Sequence, residues 1–514
     1  MKYWVAILAL LALSSPARAD WYEASSEHFV IYADDREKDI RRFAENLERY
    51  HSAMAFVLNK QLEAPSPSSR VVIFVVGGQR DIRELAGTES KTIAGFYVPR
   101  AGASRAFVQD IRNKKGYPSF STTVLLHEYA HHFLISTTRF AMPRWMSEGA
   151  AEFFAAASFN GNGTVQIGRP AQHRGMELAH ADEVTVEQLL DQELYESTRR
   201  GRYDAFYGRS WALYHMLTFS DERSGQLGEY WLQVARGTPS IEAGRAVFGD
   251  LDELDRELDN YLRQKRMMNF VLQPDMIQIA PVSIRKLSEG EEAIMSVRMR
   301  SQRGVDDETA QTVVADARAV AAQYPDDAGV LTALAEAEFD AGNDDAAIAA
   351  ADAAITLDAS RKNAYVQKGY ALFRKAEEAD DEDAAFKAAM IPFSQLNALE
   401  NDHPLPLIYF YRSFIQRGAM PSENARHALA RAYELAPFDK NLGMSLGLMY
   451  AGDGQITRAM NTLRPLSSDP HGGGLVRAAK RYLGQLQHAS EGEPWWPSAI
   501  DADVPMLDES ADED

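Results

Sequence analysis

The segment His127-Glu128-Tyr129-Ala130-His131 sets two imidazoles four residues apart with a carboxylate beside the first. Residues four apart share one face of a helix, so His127 and His131 can offer nitrogen ligands to one ion while Glu128 stands next to it. Zinc is the metal this geometry suits best. A motif this short also arises by chance, so its surroundings decide. Pro143-Arg144-Trp145-Met146-Ser147-Glu148-Gly149 supplies a carboxylate 17 residues after His131, and Glu152 follows one helical turn beyond Glu148. From there Glu152 can accept the free ring N–H of a ligand histidine and fix its tautomer. With His127, His131 and Glu148 as ligands, a fourth position stays open for water, whose acidity the ion raises. Glu128 is then the general base. His132 lies about 100° around the helix from His131 and reads as a packed or supporting histidine. His173, His180 and His215 read as structural.

These residues need two helices to present them. Thr122 to Ser136 and Arg144 to Ser158 read as that pair, separated by a loop containing Pro143. Upstream, His28 to Tyr32, Arg36 to Leu58 and Arg70 to Val76 read as strand, helix and strand; Ile40, Phe43, Leu47, Tyr50, Met54 and Val57 keep helical spacing in the middle one. A helix from Gln79 to Leu85 follows. Between Ile93 and Asp110, Gly95, Pro99 and Gly102 punctuate two apolar segments in the manner of a hairpin, which could form an exposed sheet edge. A short strand, Thr164 to Ile167, precedes a helical stretch from Thr185 to about Asn269. The expected boundaries are a site domain over 20–270 and a connector over 271–300.

Beyond the connector an Ala-rich pattern repeats at 34 residues. Leu331 and Ala335 are answered by Tyr365 and Gly369, and later copies contain Tyr409, Leu429 and Pro437, then Gly443, Gly447 and Leu463. Small residues at such positions let paired helices cross closely. The pattern resembles the tetratricopeptide family over 301–488, with Asp380-Asp381-Glu382-Asp383 as an acidic insertion between copies. Residues 489–514 read as an acidic, disordered tail.

The segment His127 to Phe154 resembles the gluzincin metallopeptidases, and Trp145 to Glu152 looks like the Trp-Leu-Asn-Glu-Gly stretch of the membrane alanyl aminopeptidase group. The nearer resemblance is to bacterial peptidase-MA-like proteins, often fused to tetratricopeptide repeats. It implies an α+β zincin-like metallopeptidase domain followed by an all-α tetratricopeptide-type superhelix. It also implies a Zn2+ cofactor on His127, His131 and Glu148, with Glu128 as base. Related enzymes place an oxyanion-stabilising tyrosine on a later helix, which points to Tyr207. The Gly-x-Met-Glu-Asn segment that binds a free amine in the aminopeptidases is absent, so an endopeptidase is expected over an exopeptidase.

Met1-Lys2, the apolar run Trp4 to Leu13 and Ala17-Arg18-Ala19 have the form of an export signal cut after Ala19. The run is about half the roughly 20 residues a spanning helix needs, and no later segment is apolar enough to span. The absence of cysteine rules out disulfides and a lipid anchor on cysteine, and suits the periplasm or secretion. A formal charge of −20 would repel nucleic acid. The expectation is an exported zinc metallopeptidase acting on protein or peptide, its superhelix recruiting substrate or partner through the concave face. The alternatives are a tetratricopeptide scaffold carrying a relic zinc domain, and a zinc hydrolase of a non-peptide amide.

Overall fold

The computed structural model describes residues 20–498 except 89, 91–92, 112–115, 139, 200, 202 and 470–471. The expected export signal, 1–19, and the end of the acidic tail lie outside the described residues. Among the described residues, no helix is long and apolar enough to cross a membrane.

The N-terminal region is an α/β unit on a mixed sheet. Its strands are β1 (Tyr22–Ser25), β2 (Phe29–Ala33), β3 (Val71–Val75), β4 (Gly95–Val98), β5 (Arg105–Val108) and β9 (Ser283–Lys286), ordered β4-β5-β3-β2-β1-β9. Strands β2, β3 and β5 run parallel, while β4 and β1 pair antiparallel with their neighbours. Alternation gives each strand two apolar faces, so both must be covered. Phe29, Ile31, Ile73 and Val75 pack toward α1 (Glu37–Val57), whose Ile40, Phe43, Leu47 and Tyr50 form its buried stripe. Val30, Tyr32, Phe74 and Phe107 face α2 (Gln79–Ala86) and, from much later in the chain, Leu287, Met295 and Met299. The connector expected over 271–300 thus packs with the site domain: it supplies the edge strand β9, and its Leu287, Met295 and Met299 join α2 in covering one face of the sheet.

The site helices follow β5. They are α3 (Phe120–Thr137) and α4 (Arg144–Ala155), and a three-stranded sheet of β6 (Ser158–Phe159), β7 (Val165–Ile167) and β8 (Phe270–Leu272) lies after them. Short helices α5 (Gly175–His180), α6 (Val186–Leu190) and α7 (Gln192–Thr198) lead to α8 (Phe206–Phe219), then α9 (Gln226–Ala235), α10 (Ser240–Phe248) and α11 (Leu251–Leu262).

The rest is all helical. After α12 (Glu289–Ala293), α13 (Met295–Arg303) and α14 (Asp307–Ala321) come the pairs α15 (Ala328–Asp340) with α16 (Asp344–Leu357), α17 (Lys362–Ala376) with α18 (Glu382–Leu399), α19 (Pro404–Ile415) with α20 (Glu423–Leu435) and α21 (Lys440–Gly452) with α22 (Ile456–Ser467), closed by α23 (Gly474–Leu486). The first helices start 34, 42, 36 and 34 residues apart. The long interval holds the acidic insertion, whose Asp381 caps α18 through the Ala384 N–H. Small residues sit at the crossings: a Cβ on Gly369 would lie 2.5 Å from Phe393, and one on Gly447 2.6 Å from Leu463. Gly492 and Trp495, in the stretch expected to be a disordered tail, donate backbone hydrogen bonds to Gly454 and Ala451 of the last repeat.

Candidate metal centre

Helix α3 is fixed at its start and along its length. Ser119 caps it by accepting the Thr122 N–H, Ser121 Oγ donates to Ala94 O at 2.6 Å, and Tyr50 OH donates to Leu126 O at 2.9 Å. Helix α4 begins after Pro143, where a proline disfavours earlier helix without costing a bond. It is anchored by Trp145, whose indole donates to Tyr230 OH at 2.9 Å. Gly149 lets α4 cross α8 at backbone contact, since a Cβ there would sit 2.4 Å from Ser210 O. That crossing brings Glu148 beneath α3 and Tyr207 beside it.

His127, His131 and Glu148 converge as a group able to hold a metal ion. The two Nε2 atoms are 3.2 Å apart, and Glu148 Oε2 lies 3.2 Å from that of His127 and 3.3 Å from that of His131. Tetrahedral ligands on zinc, at bonds of about 2.0–2.1 Å, stand roughly 3.3–3.4 Å from one another. The fit extends to the chemistry. Three lone-pair atoms aimed at one point inside the protein repel unless a cation or a shared proton lies between them, and among the described residues neither oxygen of the fully buried Glu148 has a well-directed hydrogen bond.

Neighbouring groups orient the imidazoles. Ser147 Oγ lies 3.2 Å from His131 Nδ1, leaving Nε2 to face the ligand cluster. Glu152 Oε1 lies 3.1 Å from His127 Nδ1, out of line for a well-directed hydrogen bond. Glu152 is also gripped by His173 Nε2 and by the Arg174 guanidinium, whose Nε is 3.0 Å from Oε1. Burial disfavours charge on Glu152 and Glu148, but the facing imidazoles outweigh it, with Arg174 added at Glu152, and both carboxyls titrate below their usual range. Burial likewise opposes charging His127, yet Glu152 and Glu148 hold it well above the ordinary imidazole value.

Glu128 is half-buried on the same turn, and its charge, after burial, helps raise the Tyr97 hydroxyl. Tyr207 sits 6.5 Å, ring to ring, from His127, beneath the Arg174 guanidinium at 4.6 Å. Burial first and Glu148 second push its hydroxyl up to about 12, against a hydrogen bond from Arg144. It is therefore a neutral donor at physiological pH. Tyr203, the neighbouring tyrosine, is largely exposed. His132 turns to the other side of α3, its Nδ1 2.6 Å from Tyr97 OH. His215 is buried against Gly168 O and Tyr261 OH.

Sequence reasoning missed Ser147, His173, Arg174 and Arg144 as parts of this site. Arg144 was legible in one respect, because it lies four residues before Glu148 and so on the same helical face. His173 and Arg174 come from a short 3-10 turn ahead of α5 that no periodicity announces.

Residues 121–239 match a family described as a protein of unknown function, DUF1570. The match spans both site helices and α8. No curated protein matches the sequence. Among solved structures, a thermophilic TPR protein of Thermus thermophilus aligns at 12% identity over 38% of this chain and 99% of that one, with a TM-score of 0.32. That likeness is too distant to argue from, and the repeats stand here on their own helix spacing.

Proposed function

We propose that this chain is an exported zinc-dependent metallopeptidase of the gluzincin type, cleaving within protein chains. The observation that carries the proposal is the buried triangle of His127 Nε2, His131 Nε2 and Glu148 Oε2, with sides of 3.2–3.3 Å, on the helix that also holds Glu128. Zinc bound there supplies Lewis acidity toward water and a peptide carbonyl. Glu128 takes a proton from the attacking water and returns it to the leaving nitrogen. Tyr207, kept protonated by burial, donates to the oxygen that gains charge as the carbonyl becomes tetrahedral.

The edge strand β4 supports an endopeptidase. Among the described residues it has a strand neighbour on one side only, and Ser121 at Ala94 and Tyr97 at His132 tie it to α3, so an extended peptide pairing with its other edge would run alongside the site helix. Export places the mature chain, beginning at Asp20, in the periplasm or outside the cell.

The test compares zinc content with hydrolysis of an unfolded protein. Wild type is expected to hold one zinc per chain and cleave. Glu148→Ala is expected to lose both properties. If Glu148→Ala binds zinc as wild type does, the ligand assignment fails.

A further inference from the structure

The first helix of each repeat pair begins at a corner that contacts a segment outside the repeats: the first two meet residues 288–291, which follow the edge strand β9, and the last two meet the N-terminal region. Asp327, capping α15, lies 2.5 Å from Ser288 Oγ, and Arg361, ahead of α17, lies 3.2 Å from Glu291. Glu400, before α19, accepts the Ser68 N–H at 2.8 Å, and Gly102 at the hairpin tip fits so closely that a Cβ would come within 2.9 Å of Leu405. Asp439, capping α21, accepts the Leu442 N–H through one oxygen at 3.0 Å and the Ala101 N–H through the other at 2.9 Å. The repeat spacing therefore acts as a ruler, presenting one helix end after another along a single docking edge.

The last of these contacts reaches the site. Ala101 and Gly102 form the tip of the β4–β5 hairpin, and β4 carries Tyr97, whose hydroxyl meets His132 Nδ1 at 2.6 Å. The His132 ring also packs on Phe438, with ring centroids 4.4 Å apart. Ile135, one turn further along α3, packs against the same repeat cluster. Consecutive residues of one repeat corner thus hold both the hairpin tip and the back of the helix that carries His127 and His131.

We infer that the repeats act on the site in cis, with Phe438 and Asp439 as positioning residues that keep the β4 edge strand and α3 in register. The reaction they serve rests on the peptidase reading above; the contacts do not. A partner on the repeats would then alter the site by moving this corner, and would bind on surface the docking edge leaves free.

The test uses the full chain with Asp439→Ser and Phe438→Ala. Serine keeps a capping hydroxyl for Leu442 but is too short to reach Ala101. Amide hydrogen exchange, zinc affinity against a competing chelator, and peptide turnover are measured together. Asp439→Ser is expected to speed exchange at 95–104 about tenfold while α21 and α22 keep their protection. Phe438→Ala is expected to speed exchange along α3 and weaken zinc by at least about threefold. In an active enzyme, the serine variant raises KM more than it lowers kcat, and Asp439→Asn, which keeps a carbonyl acceptor, recovers part of the loss. Wild-type exchange at the hairpin and α3 in both variants overturns the inference, as does loosening of α21 as much as of the hairpin. If wild type cleaves nothing, the peptidase reading falls, and exchange and zinc affinity still decide whether the corner positions the site.

Discussion

Among single residues, the cluster that the fold brings together was legible because it is written in helical period: His127 and His131 are four apart, and Glu148 and Glu152 repeat that spacing on the next helix. The groups that surround them were not, because Ser147 meets His131, and His173 and Arg174 meet Glu152, only through the fold. Two predictions belong here. Tyr207→Phe is expected to keep zinc and thermal stability while kcat falls about a hundred- to a thousandfold, the usual effect of removing one oxyanion donor; a tyrosine that merely packs would lose stability and little turnover. The second concerns acidity. In the metal-free protein Glu152 and Glu148 hold His127 above its unfolded value, so this ion pairing stabilises the fold fully below that value and fades as pH rises through the elevated one. The metal must displace the proton, so zinc affinity measured from about pH 5.5 to 8 is expected to rise steadily. Affinity that does not change with pH would contradict the pairing.

Among elements, the strong periodic ones are found where the sequence puts them, including α1, the α3–α4 pair and the β4–β5 hairpin. Strand β1 escaped notice; it is short and gains its place only by pairing with β2 and β9. Within the stretch expected to be helical from Thr185 to about Asn269, the helix begun at Val186 ends before Asp191, whose side chain caps α7. The α4–α8 crossing decides whether Glu148 reaches the imidazoles, and Gly149 decides the crossing. Gly149→Ala is expected to cost about 1–3 kcal/mol through overpacking against the Ser210 backbone and to weaken zinc as Glu148 shifts. Wild-type melting and zinc affinity in this variant would mean that the crossing has slack.

For the whole molecule, the 34-residue period revealed the repeats but could not show where they dock, since the contacts at Ser68, Ala101 and His132 join segments hundreds of residues apart. Burial leaves several histidines poorly protonated: His132 is pushed down to about 3, and His215 and His403 to about 4. Each lies below its unfolded value of about 6.5, so the unfolded chain binds the extra protons and stability is lost as pH falls from there toward the folded values. His51 is likewise held well below its ordinary value, first by burial and then by His28 and His132, so His127, which works in the opposite direction, is one group against four. Each depressed histidine contributes a slope of about 1.4 kcal/mol per pH unit, so the melting temperature is expected to drop sharply between about pH 7 and 5. An unchanged melting temperature over that interval would show that these rings take up protons in place.

Everything proposed for the site turns on whether bound zinc, with Glu128 as base, breaks peptide bonds. Digestion of an unbiased peptide library by the zinc-loaded chain and by Glu128→Gln, with products read by mass spectrometry and zinc counted in both, answers this directly. Equal zinc, internal cleavage by wild type, and turnover reduced at least about a hundredfold in the variant are expected. Zinc bound in both with no cleavage by either, or equal cleavage by both, would contradict the assignment.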